Sequence, residues 1–441
     1  MTKMKTMFEQ AKEYMVGGCC ASGRFHYQYG QPVLMERADG ARLWDVDGKE
    51  YIEFHSSAGP ILYGYNNPRL NHAVEEALKL GNFCNFETKY TTELAKAICE
   101  IIPCAEKVRL ANTGTEATLS AIRLARGYTG RDIVIRMEGH FHGMHELIWY
   151  NHTQIGAMNK YGEIENIPDS GGFCDIYGNV VKTIPFNNID ILRETVERYK
   201  DQVAAIIMEP ISFNCGCYPA RKEYLQQVRE LCDKENIVLI FDEVISGFRM
   251  RPGSAQAYYG VTPDVTTLAK ALGGGAPIAA ICGKKKVMDA YKPIGTIGSS
   301  GTTTGALMPV MMACECMKMV KEPGFYDHLE SIGNQLYDGI NDLFKKHQIP
   351  GHVRGMGARF AVYFGVEDPE DDYDYRTVWN KFDNEMDARF VRECIEAGLY
   401  MHDYGMGPAP AHRGFGTAHT AKDINIALEK MDTIFARLKT K

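Results

Sequence analysis

Short apolar runs of four to six residues recur along the middle of this sequence. They fall at 107–110, 132–137, 204–208, 237–241, 265–268 and 278–282. Helical periodicity covers 70–81, 91–102, 114–127 and 223–235, and the second of these stops before Pro103. Runs this short and this apolar read as strands buried on both faces, and helices between them read as crossovers. The pattern predicts an α/β fold with a mostly parallel central sheet. Such sheets take ligands beyond the carboxyl ends of their strands.

The flanks differ. Residues 33–54 read as a small sheet, two strand-like runs joined through the turn dipeptides Asp39-Gly40 and Asp47-Gly48. Beyond about residue 320 the pattern becomes α+β. A chain of 441 residues has room for more than one domain on a shared core. The expected division is 1–69 as an N-terminal segment with the small sheet, 70–320 as the large domain, and 321–441 as a small α+β domain. The small domain is expected to draw on both termini.

Composition removes several classes of function. At 45% hydrophobic and 24% charged, the chain is globular in type. Its net charge of -7 carries no basic tract, which argues against nucleic acid or an anionic membrane as partner. No window of about 18 apolar residues exists. The nearest, 268–282, is broken by Lys270, three glycines and Pro277. The N-terminus lacks the apolar core of a signal peptide, so the expected location is cytoplasmic. The 13 cysteines are scattered, Cys215 and Cys217 as a C-x-C and Cys19-Cys20 adjacent, with neither a disulfide framework nor zinc-site spacing. Reduced, mostly buried thiols are expected.

Two stretches carry the chemistry. In 237–249, IVLIFDEVISGFR, an apolar strand ends in Asp242 and Glu243. Asp242 then lies in the ligand crevice, although a helix cap or surface acid is the commoner fate of such a residue. In 264–280, DVTTLAKALGGGAPIAA, Lys270 sits among Leu268, Ala269, Ala271 and Leu272 just before three glycines. Most lysines are solvated. One held in apolar surroundings loses affinity for its proton and attacks carbonyls. An acid and an amine in one crevice suit pyridoxal phosphate, with the amine bonded to the carbonyl carbon and the acid keeping the pyridine nitrogen protonated. The phosphate needs a cradle, and Gly114-Thr115 opens a helix directly after a strand. An aromatic partner for the ring is offered by Phe141 in EGHFHGMHE. The histidines around it have no helical i,i+4 pair and no acid at zinc-like spacing, so no metal is expected.

These motifs together resemble the class III aminotransferases of pyridoxal phosphate fold type I. The branch most similar holds glutamate-1-semialdehyde aminomutase and the β-amino acid aminotransferases. The likeness covers nearly the whole chain and rests on FDEVISGFR, LAKALGGGAPIAA, GTEA and the triplet Phe141-His142-Gly143. It implies a large pyridoxal phosphate domain and catalytic roles for two residues: Lys270 as Schiff-base lysine and proton shuttle, Asp242 as partner of the pyridinium nitrogen. It further implies that Val244 and Phe141 flank the ring, that His142 lies beside the cofactor, and that Gly114 and Thr115 bind the phosphate. Thr302, in SSGTTTGAL, would reach the phosphate of a neighbouring subunit, making a homodimer with the active site at its interface. Glu209, in IIMEPI, matches an acid near the cofactor. For substrate, the resemblance points to Arg24 in VGGCCASGRFHY, an arginine fork suited to a carboxylate.

Three departures bear on the reaction. Ala58 stands where the aminomutases carry tryptophan, opening space near the substrate. AHRGF replaces FEAGF, so His412 and Arg413 replace an acid, and Arg413 is expected to hold a second anion. Ala306-Leu307 replaces Asn-Pro. The expected reaction is transfer of an amino group from a β-amino acid or related derivative, an acyl thioester included, to 2-oxoglutarate or pyruvate by a ping-pong course. Glutamate-1-semialdehyde 2,1-aminomutase and an amino acid racemase or epimerase are the alternatives on the same scaffold. A non-catalytic binding protein of this fold is a further one. Residues 152–178, rich in Gly, Asn and Asp, read as a lid over the site.

Overall fold

The computed structural model describes residues 2–27, 29–402 and 409–439. The chain forms two compact units. The larger comprises Pro68–Tyr326 and Asp372–Arg376, and the other comprises Met1–Asn67, Asp327–Asp371 and Thr377–Lys441.

The larger unit is built on a seven-stranded sheet: β1 (Lys107–Ala111), β2 (Ile133–Met137), β3 (Val181–Ile184), β4 (Val203–Met208), β5 (Val238–Asp242), β6 (Val265–Leu268) and β7 (Ala279–Gly283). Their spatial order is β1-β7-β6-β5-β4-β2-β3. Strands β6, β5, β4, β2 and β3 run parallel, with Ile240 beside Val265 and Ile207. Every residue of β2, β4, β5, β6 and β7 is buried, as expected for a sheet covered on both faces. Strand β7 runs antiparallel to both β6 and β1. The reversal has a simple cause. Only residues 269–278 connect β6 to β7, too few for the crossover that a parallel neighbour requires.

Local chemistry sets the helix ends that matter for the site. The helix Gly114–Thr129 starts at the N-cap Thr113, whose Oγ1 accepts from Glu116 N at 3.1 Å. The Glu116 carboxylate turns back to Asn112 N at 2.8 Å. The helix stops at Gly130 in the left-handed region, φ 69°. The amino end of β6, inside the sheet, is pinned by Asp264, which accepts from Leu239 N (2.9 Å), Arg229 Nη1 (2.9 Å) and Lys284 Nζ (2.7 Å).

In the other unit, Met35–Asp39, Arg42–Asp45 and Glu50–Glu53 form an antiparallel meander. There are three strands rather than two because each Asp-Gly dipeptide makes its own turn, with Gly40 at φ 53° and Gly48 at φ 87°. Asp45 Oδ1 accepts from Asp47 N and Lys49 N to fix the second turn. Leu399–Tyr400 joins this sheet parallel to Glu50–Glu53, so the two ends of the chain share it. A second sheet pairs Gly351–Met356, Arg359–Phe364 and Arg413–Gly414. Among the described residues no helix is long and apolar enough to cross a membrane.

Asp264 gives a test of this junction. Burial alone would raise its carboxyl pKa, but Arg229, Lys284 and the Leu239 amide outweigh that and lower it. A lowered carboxyl contributes stability above its unfolded pKa and loses it as pH falls through the folded value. Asp264→Asn should cost about 1–3 kcal/mol in urea unfolding at neutral pH. Its deficit against the parent should shrink as pH falls below 4.

Candidate active site

The strand β5 delivers two consecutive carboxylates, and alternation sends them to opposite faces. Asp242 is held by three donors. His142 Nδ1 lies 2.8 Å from Oδ2, and Oδ1 accepts from Thr267 Oγ1 (3.0 Å) and Val244 N (3.1 Å). Glu243 turns the other way and is fully buried. It accepts from Ala255 N and Gln256 Nε2, both at 2.7 Å, and from Ser246 Oγ at 3.2 Å. Burial raises the Glu243 carboxyl to about 7. Asp242 therefore faces the crevice, and Glu243 staples the turn that follows.

The segment after β2 forms the facing wall. Glu209, at the end of β4, is buried, and its Oε1 accepts from Phe141 N at 2.9 Å. Its own amide donates to His140 Nδ1 at 3.0 Å, so two backbone amides and two side chains lock the ends of β2 and β4 together. Desolvation, reinforced by the charge of Asp242, raises the Glu209 carboxyl to about 8. So raised, it holds its proton at neutral pH. His142 is buried and its pKa is lowered by desolvation, against the opposing pull of Asp242. A neutral His142 donates through Nδ1–H to Asp242. The half-buried Phe141 ring lies 4.9 Å from His152 and 6.4 Å from Trp149, centroid to centroid.

Gly114 and Thr115 open their helix beside these groups. A Cβ on Gly114 would come within 3.1 Å of Val244. A Cβ on Gly143, which sits at φ 96°, would come within 2.7 Å of Thr115 Oγ1. Glycine is thus required at 143 by close approach and by its φ, while at 114 a side chain would press on the Val244 methyls. Free backbone N–H groups at a helix start, a threonine hydroxyl and the helix dipole suit an anion. Lys270 is half-buried and opens the short turn Lys270–Leu272 at φ 48°, a strained conformation for a residue with a side chain. A Cβ on the following Gly273 would meet Ala276 O at 2.5 Å, which explains the start of the glycine run.

Lys270, Asp242, Val244, Glu209, Gly114, Thr115, Phe141, His142 and Thr302 all belong to the larger unit. Thr302 is exposed in a loop fastened to Asn112 through Thr303 and Thr304. Arg24, Ala58 and Arg413 belong to the other unit. Arg24 is exposed in the turn Ser22–Arg24, and Ala58 is half-exposed at φ 65°. The expectation for Arg413 needs correction. Its guanidinium is fully buried, paired with Asp387 at 2.7 Å and stacked near Phe390, so its charge is already matched within the unit. Residues 152–178 are pinned rather than loose at their base. Asp169 accepts from His152 N and Thr153 N, and Asn151 bonds Glu165 O and Ile167 N. Among the described residues no group of three or more His, Cys, Asp or Glu could hold a metal ion.

Sequence reasoning missed Thr267 and Asn214, which hold Asp242 and Glu209. A threonine pair inside the buried run VTTL was the available signal, since a polar residue there needs a partner.

The donor set fits pyridoxal 5′-phosphate: a carboxylate at a strand end, an amine on a strained turn, and an anion cradle at a helix start packed closely under Gly143. A family model for class III aminotransferases matches residues 26–434. A glutamate-1-semialdehyde 2,1-aminomutase of Persephonella marina is 34% identical over 441 residues, covering 99% of each chain. The structure of an omega-transaminase from Sphaerobacter thermophilus superposes with a TM-score of 0.91 at 29% identity, covering 99% of this chain and 98% of that one. A variant glutamate-1-semialdehyde aminomutase from Pseudomonas aeruginosa PAO1, in complex with PMP, gives 0.86 at 19% identity over 99% and 94%. The fold is thus that of the fold type I, pyridoxal 5′-phosphate-dependent transferases. The chain belongs to the class III aminotransferases.

Gly143→Ala tests the cradle. The added methyl forces Thr115 away and strains the backbone by about 1–2 kcal/mol. Cofactor affinity in a fluorescence titration should fall on the order of tenfold, with the far-ultraviolet spectrum unchanged.

Proposed function

We propose that this enzyme is an intermolecular aminotransferase whose amine donor is a β-amino acid or a related derivative, an acyl thioester included, and whose acceptor is 2-oxoglutarate or pyruvate. The observation that carries the reading is Ala58. It lies on a turn of three consecutive left-handed residues, Ser56, Ser57 and Ala58, and its side chain is the smallest that can be carried there other than glycine's hydrogen. A short side chain in place of the aminomutases' tryptophan leaves room for a longer or branched donor.

Bound at this site, pyridoxal 5′-phosphate supplies a carbonyl carbon that receives and returns the amino group and a ring that accepts an electron pair. The residues do the rest. Lys270 would take a proton from the carbon bearing the amine and deliver it to the cofactor, and then run the same transfer in reverse with the oxo acid. Asp242, kept in place by His142 and Thr267, would hold the proton on the ring nitrogen. Gly114 and Thr115 would bind the phosphate, Val244 and Phe141 would confine the ring, and Glu209 and His142 would fix that wall. Arg24 would take the substrate carboxylate with its fork. The donor leaves as an oxo acid before the acceptor enters, which is the ping-pong course.

The active form is proposed to be a homodimer in the cytoplasm, with Thr302 of one copy serving the phosphate of the other. Exposed apolar side chains support a protein partner there. Phe86 is 70% exposed and Phe83 39%, and Phe83 O accepts from Leu307 N at the end of the Thr302 loop. Phe86→Glu should shift the mass in sedimentation from dimer to monomer and weaken cofactor retention.

A second reading, glutamate-1-semialdehyde 2,1-aminomutase, is favoured by the Persephonella marina relative. The two part on one measurement. Purified, cofactor-loaded enzyme is treated with amines one at a time and its yellow absorbance is followed. An aminotransferase bleaches with a β-amino acid or its thioester and recovers with 2-oxoglutarate or pyruvate. An aminomutase converts glutamate-1-semialdehyde with no added oxo acid, and that result would overturn the proposal. Lys270→Ala should abolish turnover in either case, while leaving the sheet folded.

A further inference from the structure

The helix Gly114–Thr129 and the turn that carries His142 meet at one buried hydroxyl. Thr118 lies one turn into the helix and is 1% exposed. Its Oγ1 is 3.1 Å from both Gly114 O and Thr115 O, and 2.5 Å from His142 O. A hydroxyl has one proton to give, and the shortest of these contacts takes it to His142 O. The same oxygen faces His145 Nε2 at 3.4 Å. Burial lowers the His145 imidazole to about 4, so it is neutral, and its Nδ1 has no hydrogen-bond partner. A buried donor without an acceptor costs more than a bare lone pair, which puts the His145 proton on Nε2, toward Thr118.

Two further contacts join the same pieces. Met144 N donates to Thr115 Oγ1 at 3.4 Å. Gly143 stands so close to Thr115 that a Cβ there would come within 2.7 Å of that hydroxyl. His142 is thereby held at both ends, its carbonyl by Thr118 and its Nδ1 by Asp242 Oδ2 at 2.8 Å. Two hydrogen bonds and one histidine then separate the helix that opens at Gly114-Thr115 from the carboxylate at the end of β5.

We propose that Thr118 is a positioning residue that couples the phosphate cradle to Asp242. By fixing the His142 carbonyl against the helix, it aims the imidazole Nδ1–H at the carboxylate. The two ends of the cofactor site are then set together. Thr118 acts through His142, not on substrate. The inference rests on reading Gly114-Thr115 and Asp242 as the two holds on the cofactor.

The test starts from the apoprotein, with inorganic phosphate as the probe. In protein labelled with 15N-histidine, the Nδ1 proton of His142 is assigned by its loss in His142→Gln. Phosphate added to wild type should shift that signal along the same saturation curve that the 31P line width follows. Thr118→Val keeps the shape of the side chain and removes the hydroxyl. There the signal should move upfield or broaden, and phosphate should bind without moving it further. Pyridoxal 5′-phosphate affinity in a fluorescence titration should fall about tenfold. Thr118→Ser restores the hydroxyl. It should recover the signal, its response to phosphate, and an affinity within about threefold of wild type.

Three results would each overturn the proposal. One is phosphate that binds wild type, by 31P, and leaves the His142 signal unmoved, a measurement that needs no variant to fold. Another is a folded Thr118→Val with the wild-type signal and affinity. The third is Thr118→Ser behaving as Thr118→Val does. Failure of the reading beneath it looks different. Phosphate would then not bind the apoprotein, or Asp242→Asn would bind cofactor as wild type does.

Discussion

The site depends on a carboxylate placed at the end of a fully buried strand. Strand β5 is apolar from Val238 to Phe241, and its next residue is Asp242, 4% exposed. A charge so placed is tolerated only if donors surround it. The chain provides them from three different elements: Thr267 from the neighbouring β6, the amide of Val244 from its own turn, and His142 from the segment after β2. These partners fix the carboxylate in direction as well as compensating its burial. They also make the sheet register part of the chemistry. Phe241 pairs with Thr266 and Asp242 with Thr267, so a slip of one residue would put the wrong threonine beside the wrong acid.

Around this carboxylate, burial suppresses the other ionisable groups. Glu209 and Glu243 are pushed up to about 8 and about 7, and His145 and His152 down to about 4, in each case chiefly by desolvation. At neutral pH Glu209, His145 and His152 are therefore polar but uncharged. That matters for a reaction in which a proton moves between two carbons. Each extra charge nearby would shift the pKa values on which the transfer depends, and each mobile proton would offer a competing donor. The strained backbone at Lys270 fits the same logic. A left-handed turn, closed by the tight approach of Gly273 to Ala276 O, sets the direction of the amine's base before any reaction.

Much of this was legible in the sequence, because it rests on short-range rules. Buried strands announce themselves by β-branched runs, Asp242 by its place at a strand end, and the cradle by Gly114-Thr115 between strand and helix. The unread parts depend on contacts distant in sequence. The reversal of β7 follows from the shortness of the 269–278 link, a constraint that periodicity does not carry. Thr267 gains meaning only once β6 is known to lie beside β5. Arg413 was read as a free cation because its partner Asp387 lies 26 residues earlier, across a helix and a sheet.

The two departures that steer the choice of reaction are joined in space. His412 Nδ1 accepts from Arg359 Nη2 at 2.5 Å, and Arg359 Nη1 donates to His55 O at 3.0 Å. Glu53 closes the network from the other side. It is buried, raised to about 7 by desolvation, and accepts from His55 N at 2.6 Å and Ser56 N at 2.5 Å. The left-handed turn that carries Ala58 therefore leaves a residue, His55, gripped by Glu53 through its amide and by Arg359 through its carbonyl. A change at position 412 acts on that grip through Arg359. A glutamate there would form an ion pair with Arg359 and draw its charge away from Glu53, whereas the imidazole accepts a hydrogen bond and leaves Arg359 facing Glu53. Ala58 and His412 are then better understood as one adjustment than as two. A small side chain opens space on the turn, and the buried network beneath it holds the turn in a conformation that few residues adopt without support.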